Sequence, residues 1–181
     1  MLDKDDISKL NKVLLDASAS QRVNVIEFLL SKNSDLDLNE ALVEASFHGC
    51  SDSINTLITF GADVNFNDDL PLRMSCENGH LDSVKILIQL GSNINIYDGE
   101  SLLSSRLYDH LEIVRFLIHN GANFCIDDNE SLNYAVSDGN FEIVEFLILL
   151  GANVNYNNKE PVKIAFEDGN LDMVKFLSKF Q

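Results

Sequence analysis

The sequence predicts an all-α fold, a solenoid of stacked helix-turn-helix units with short hairpin loops. Three observations carry that expectation. First, Gly61-Ala62-Asp63-Val64-Asn65, Gly91-Ser92-Asn93-Ile94-Asn95, Gly121-Ala122-Asn123-Phe124-Cys125 and Gly151-Ala152-Asn153-Val154-Asn155 resemble one another at a constant step of 30 residues. Second, Gly49, Gly79, Gly139 and Gly169 keep the same step, with Asp109 in the remaining place. Third, an apolar pattern recurs between the two series: Leu81-x-x-Val84-x-Ile86-Leu87-Ile88, Leu111-x-Ile113-Val114-x-Phe116-Leu117-Ile118, Phe141-x-Ile143-Val144-x-Phe146-Leu147-Ile148 and Leu171-x-Met173-Val174-x-Phe176-Leu177. A fixed period of this kind marks a repeat architecture, in which each unit buries its apolar faces on its neighbours.

The elements follow in order. Residues 1-38 read as a divergent N-terminal capping repeat. Leu10, Val13, Leu14 and Ala17 line its short helix, Val23-x-x-Ile26-x-Phe28-Leu29-Leu30 matches the long-helix stripe, and Asn33 takes the helix-ending glycine slot. Five repeats fill 39-181, divided 39-68, 69-98, 99-128, 129-158 and 159-181, the last a C-terminal cap. Each opens with a short helix, for example Pro71 to Asn78. Pro71 and Pro161 share one repeat position, its first turn, where a missing N–H is no loss. Asn39, Asp69 and Asn129 stand before it as N-caps, and Glu40, Glu100, Glu130 and Glu160 place negative charge at its N-terminus. The second glycine series turns the chain into the long helix. Asp109 is tolerated there because Asp visits the left-handed region more readily than most residues. From Leu111 to Asn120 a wide apolar stripe is broken only by Glu112, Arg115 and His119, so the helix is buried on most sides. Gly61, Gly91, Gly121 and Gly151 then end the long helices in a left-handed conformation.

The core repeats by type. Leu42, Leu72, Leu102, Leu132 and Val162 fill one short-helix slot, and Ala45, Ser75, Ser105, Ala135 and Ala165 fill a slot where helices approach closely. Ile54, Val84, Val114, Val144 and Val174 line the long helices, with Leu57, Leu87, Leu117, Leu147 and Leu177 one turn on.

The unit resembles the ankyrin repeat over about Asn39 to Phe180. Asn78-Gly79-His80-Leu81-Asp82, then Val84-Lys85-Ile86-Leu87-Ile88 and Gly91-Ser92-Asn93-Ile94-Asn95, come close to the family pattern. Two departures stand out. The family repeat is usually 33 residues, so three are missing between Asn65 and Leu72 and the hairpin is expected to be short. The Thr-Pro-Leu-His start reads Leu70-Pro71-Leu72-Arg73, Glu100-Ser101-Leu102-Leu103 and Glu130-Ser131-Leu132-Asn133, so the family's Thr–His bracing is expected to be absent. Thirty-residue, Asn-rich units of this kind are similar to those of giant DNA viruses, which implies a host-cytoplasmic setting.

Composition narrows the function. The chain has 29 acidic and 13 basic side chains and a formal net charge of -16. Nucleic acid and anionic membrane surfaces need a Lys/Arg footprint, so neither is expected as a partner. No apolar run reaches about 18 residues, the length of a bilayer span. The acidic start Met1-Leu2-Asp3-Lys4-Asp5-Asp6 predicts neither a signal nor a transit peptide. Cys50, Cys76 and Cys125 are odd in number and lack CxxC spacing, which predicts a reducing, cytoplasmic compartment and small apolar roles.

Local motifs reduce to the repeat. Asp63-x-Asn65-x-Asn67 begins like a calcium loop, but Asp68 and Met74 occupy the places of its Gly and Glu. His48, His80, His110 and His119 show no zinc spacing. His80 and His110, at the start of long helices, read as structural polar residues. No GxGxxG, Walker or GxSxG motif is present, and no nucleophile stands with a base. No enzyme, cofactor or metal is expected.

In the ankyrin family partners lie against the concave short-helix face and the hairpin tips. The corresponding positions here include Phe47, His48, Met74, Glu77, Leu107, Tyr108, Tyr134, Asp138, Ile164 and Glu167, partner-binding candidates in which apolar groups are ringed by acids. The resemblance implies a non-catalytic module that binds a protein partner, a monomer is expected, and the chain's acidic groups point to a basic surface on that partner. The alternative is a structural or self-assembling protein using the same patch. Phe66, Ile96, Ile126 and Tyr156 form a hairpin series read as packing.

Overall fold

A computed structural model of the chain describes residues 4–33, 35–95, 110–122 and 130–180. Among them the chain is all-α, without a strand. Eleven helices follow one another: α1 (Lys4–Ala19), α2 (Val23–Lys32), α3 (Leu38–Phe47), α4 (Ser51–Thr59), α5 (Phe66–Glu77), α6 (Leu81–Gln89), α7 (Leu111–His119), α8 (Glu130–Ser137), α9 (Phe141–Leu149), α10 (Tyr156–Glu167) and α11 (Leu171–Leu177), then a 3-10 turn over Ser178–Phe180. None of the described helices is long and apolar enough to cross a membrane. The chain divides into two compact units, Met1–Ser101 and Leu102–Gln181.

In the first unit α1, α3 and α5 pack side by side, as do α2, α4 and α6, and each odd helix packs on the even helix that follows. In the second, α8 packs on α9 and α10, and α10 on α11. The Arg115 guanidinium of α7 lies 4.7 Å from the Phe146 ring centroid of α9.

Glycine sets where helices stop. Gly61 has φ 104°. Its N–H donates to the Ile58 carbonyl at 3.0 Å, and the Ala62 N–H to the Leu57 carbonyl at 3.0 Å. This left-handed closure satisfies carbonyls that the helix end leaves open. The first helix of each pair closes the same way, as at Gly49 with φ 71°, and in α3 (Leu38–Phe47) it is no shorter than its successor α4 (Ser51–Thr59), contrary to the short-then-long order expected from the sequence. In the N-terminal unit the corresponding residue is Gln21, with φ 53°. Asn33, expected in a helix-ending glycine role, is instead extended at φ -138° and ψ 117°.

The segment between units differs from the expected hairpin. The chain makes a short helical start at Phe66, then holds Asn67, Asp68 and Asp69 in the left-handed region before Pro71 begins the straight run. Asn157, Asn158 and Lys159 repeat this before Pro161. With three residues fewer than the usual repeat, the chain reverses through consecutive left-handed residues, a conformation that Asn and Asp tolerate best. The Asn-rich loops are therefore a backbone requirement. Asp63 Oδ1 accepts the Asn65 N–H at 3.0 Å, and Asn153 Oδ1 accepts that of Asn155 at 2.9 Å.

The expected N-cap roles also change. Asp37 caps α3, accepting the Glu40 N–H at 3.1 Å. Asn39 lies inside α3, and its Oδ1 accepts the Asp63 N–H of the next unit at 2.8 Å. Asp69 does the same for Asn93 at 2.8 Å, and Asn11 for Asp37 at 2.8 Å. This ladder braces neighbours in a chain that lacks the family's Thr-Pro-Leu-His start. Asn129 lies outside the described residues.

The core slots are filled as the register dictates. Leu42, Leu72 and Leu132, Ala45, Ser75, Ala135 and Ala165, and Ile54, Val84, Val114 and Val144 are buried, as are Leu57, Leu87, Leu117, Leu147 and Leu177. Leu102 and Ser105 lie outside the described residues. Burying each leucine side chain is worth roughly 1.5–3 kcal/mol. Three positions depart from expectation. Val162 and Val174 are half-buried, and Val13 is 45% exposed. Helical period turns Leu14 and Ala17 of α1 inward, which leaves Val13 on the outer side. Phe66 and Tyr156 are half-buried. Ile96 and Ile126 lie outside the described residues.

Candidate functional site

In α3 the residues Ala41, Leu42, Ala45 and Ser46 point inward. The helical period therefore puts Phe47 and His48 outside. Phe47 is 45% exposed. Its ring meets the His48 ring edge-on, centroids 5.0 Å apart. His48 Nε2 lies 3.2 Å from Glu44 Oε1. The Phe47 carbonyl, near the helix end, accepts a bond from His80 Nε2 at 2.9 Å. His80 thus ties α6 back to the unit before it. On α5, Met74 and Glu77 are half-buried, not exposed as the register alone suggested. Glu44 and Asn78 are half-buried too, and Asn78 Nδ2 donates to the Met74 carbonyl at 2.8 Å.

In the second unit, Tyr134 of α8 is 39% exposed, and Asp138 just beyond that helix is exposed. Ile164 of α10 is half-buried and Glu167 exposed. Tyr134 and Ile164 line one open cleft of about 340 Å³ together with Asn133 and Ser137. Leu107 and Tyr108 lie outside the described residues. The structure therefore brings together Phe47 with His48, and Tyr134 with Ile164.

Register reasoning missed a second cleft. Phe166 is 67% exposed and lines a space of about 310 Å³ with Asn158, Lys159, Val162, Lys163, Glu167 and Val174. A signal was present in the sequence, because Val162 and Val174 occupy core slots of the repeat and Phe166 adds a large apolar group beside them.

Electrostatics sharpen the picture. Segments 1–33 and 156–181 each hold as many basic as acidic side chains, so the whole of the -16 lies in residues 34–155. Asp69 is only 2% exposed. Burial raises its carboxyl above the ordinary range. The Asn93 N–H and the Ser92 hydroxyl oppose that shift, while the neighbouring Asp63 and Asp68 add to it. Cys50 is buried, and burial pushes its thiol up against an opposing backbone bond from Gln21. A raised thiol is a poor nucleophile. Among the described residues no group of three or more His, Cys, Asp or Glu could hold a metal ion.

Compared with known protein families, the chain matches ankyrin repeats (3 copies) over residues 14–98, 42–128 and 102–180. No curated protein matches it. The match runs through almost the whole length and agrees with the helix pairs and glycine closures described above, so the chain belongs to the ankyrin repeat family.

Proposed function

We propose that this chain is a non-catalytic binding module that holds a protein partner against its short-helix face and hairpin tips. Ankyrin repeats are in general protein–protein interaction modules. One observation carries the reading for this chain. Phe47 and Tyr134 stay partly exposed at short-helix positions that stacking does not need, within an acidic body. Aromatic anchors in a polar rim are what protein interfaces use. The candidate set is Phe47, His48, Met74, Glu77, Leu107, Tyr108, Tyr134, Asp138, Ile164 and Glu167. The partner has a basic surface, which the acidic body steers toward the site. The frame is a capping unit over 1-38 followed by five repeats over 39-181. The thirty-residue, Asn-rich form supports a viral source and action in the host cytoplasm.

The test is a pull-down from the native cell with wild type and with Phe47→Ala/Tyr108→Ala/Tyr134→Ala. Loss of the captured partner is expected from the triple variant. Retention at wild-type affinity removes the site assignment.

The exposed Phe166, with half-buried Val162 and Val174, favours a second reading, self-assembly. Light scattering across a concentration series separates the two. A mass that grows with concentration supports assembly, and a constant monomer mass counts against it.

A further inference from the structure

Helix α10 carries an apolar strip and an ordered set of charges along one cleft. Ser46 of α3 and Val136 of α8 occupy the repeat position of Phe166, and both are fully buried. Each sits on a helix that packs against the next short helix, α5 or α10. Phe166 is instead 67% exposed. It lines the cleft with the half-buried Val162 and Val174. A large aromatic group at a stacking position, left open to water beside two valines, is a surface for another chain.

The charges around that strip follow an order along the helix. Lys163 lines the cleft in the first half of the straight run, Glu167 lines it at the far end, and Asp168 follows. This order opposes the helix dipole, which favours anions at the N-terminus and cations at the C-terminus. Glu160, at the favourable end, is engaged by the Asn157 amide. Lys163 and Glu167 are exposed one turn apart, and neither is held in an ion pair among the described residues. A second α10 laid antiparallel reverses these relations. Its acidic end comes beside the first helix's N-terminal half, and its Lys163 comes beside the first helix's acidic end. The pattern is therefore complementary to itself after a half-turn, as an isologous contact requires. Charge elsewhere favours a second copy at this place over others. All of the -16 lies in residues 34–155, so two copies repel along their middles, while 156–181 is balanced. A basic partner finds no net attraction at this segment.

We infer that this cleft is the contact of a twofold dimer, in which α10 packs antiparallel on α10 of a second copy. Each Phe166 seats against the second copy's Val162 and Val174, and each Lys163 meets the second copy's Glu167 and Asp168. The inference rests on the self-assembly reading and gives it a surface, a symmetry and an end point, since a twofold contact closes at two chains.

The experiment is sedimentation equilibrium of the full chain over a concentration series. The mass is expected to rise with concentration and level at twice that of one chain. Lys163→Glu alone and Glu167→Lys alone each place like charges across the contact, and each is expected to weaken dimerisation about tenfold or more. An equal mixture of those two variants is expected to dimerise again, because each supplies the charge the other lacks. Phe166→Asp is expected to abolish the dimer with unchanged far-UV circular dichroism, since the ring is exposed. A mass that climbs past two chains, single variants that dimerise as wild type does, or a mixture no tighter than its components overturns the inference. Assembly that survives Phe166→Asp removes this surface and leaves the self-assembly reading, whereas a constant monomer mass removes both.

Discussion

Among the described residues Asp69 is the one carboxylate in a ladder otherwise built from Asn11 and Asn39, and it is nearly enclosed. An amide oxygen also accepts the facing N–H, and it has no charge to desolvate. Asn65 stands close. Turned so that its nitrogen faces inward, its amide donates to Asp69 Oδ1 at 2.7 Å and to the Gly91 carbonyl at 3.2 Å. Because burial raises this carboxyl, the folded chain holds the proton more tightly than the unfolded chain. The stability linked to that proton is full below the ordinary value of 3.8 and is lost as pH rises through the raised value. Asp69→Asn is therefore expected to stabilise the chain at neutral pH, on the order of 1 kcal/mol, with the gap narrowing toward pH 3.8. Urea melts across this range read it. A variant no more stable than wild type at neutral pH, or a gap that ignores pH, refutes the account.

At the scale of elements, Gly49 and Gly61 both end a helix with positive φ but differ in surroundings. A Cβ added at Gly49 would lie 2.5 Å from His80 Nδ1, whereas one at Gly61 meets nothing within 4 Å. Both positions have positive φ, so alanine strains either by about 1–2 kcal/mol. Only at Gly49 does it also push on His80, whose ring is held by the Phe47 carbonyl. A double-mutant cycle of Gly49→Ala with His80→Ala is expected to show coupling of roughly 1 kcal/mol or more, and the cycle with Gly61→Ala about none. Equal coupling in the two cycles contradicts this. The hairpin shows the same limit of pattern reading. Period and proline position mark where the short helix starts, but the left-handed run at Asn67, Asp68 and Asp69 arises from closing a loop three residues short.

For the whole molecule, charge is placed unevenly along the chain. The ends are balanced and the middle carries all of the -16. A basic partner is then drawn to the middle repeats, and that attraction weakens with screening. Raising salt from low to physiological strength is expected to slow association of the captured partner severalfold while changing dissociation little. Stopped-flow mixing measures both, and an on-rate independent of salt removes electrostatic steering from the mechanism.

Family, helix pairing and core were legible before any coordinates. A thirty-residue period, paired glycines and apolar stripes are local demands of the backbone and of burial, and each unit states them again. Leu57, Leu87, Leu117, Leu147 and Leu177 are buried where the register put them. Exposure at the candidate site was legible only in part. Phe47 and Tyr134 are open, while Met74, Glu77 and Ile164 are half-covered by neighbouring turns whose packing no register supplies. The ladder from Asn11, Asn39 and Asp69, the link from His80 to Phe47 and the Tyr134–Ile164 cleft needed the folded chain. The hydrogen bonds among them join residues 24 to 33 positions apart, and a sequence pattern names such residues without saying which atoms meet. Those contacts arise when stacking brings one unit's side chains onto its neighbour.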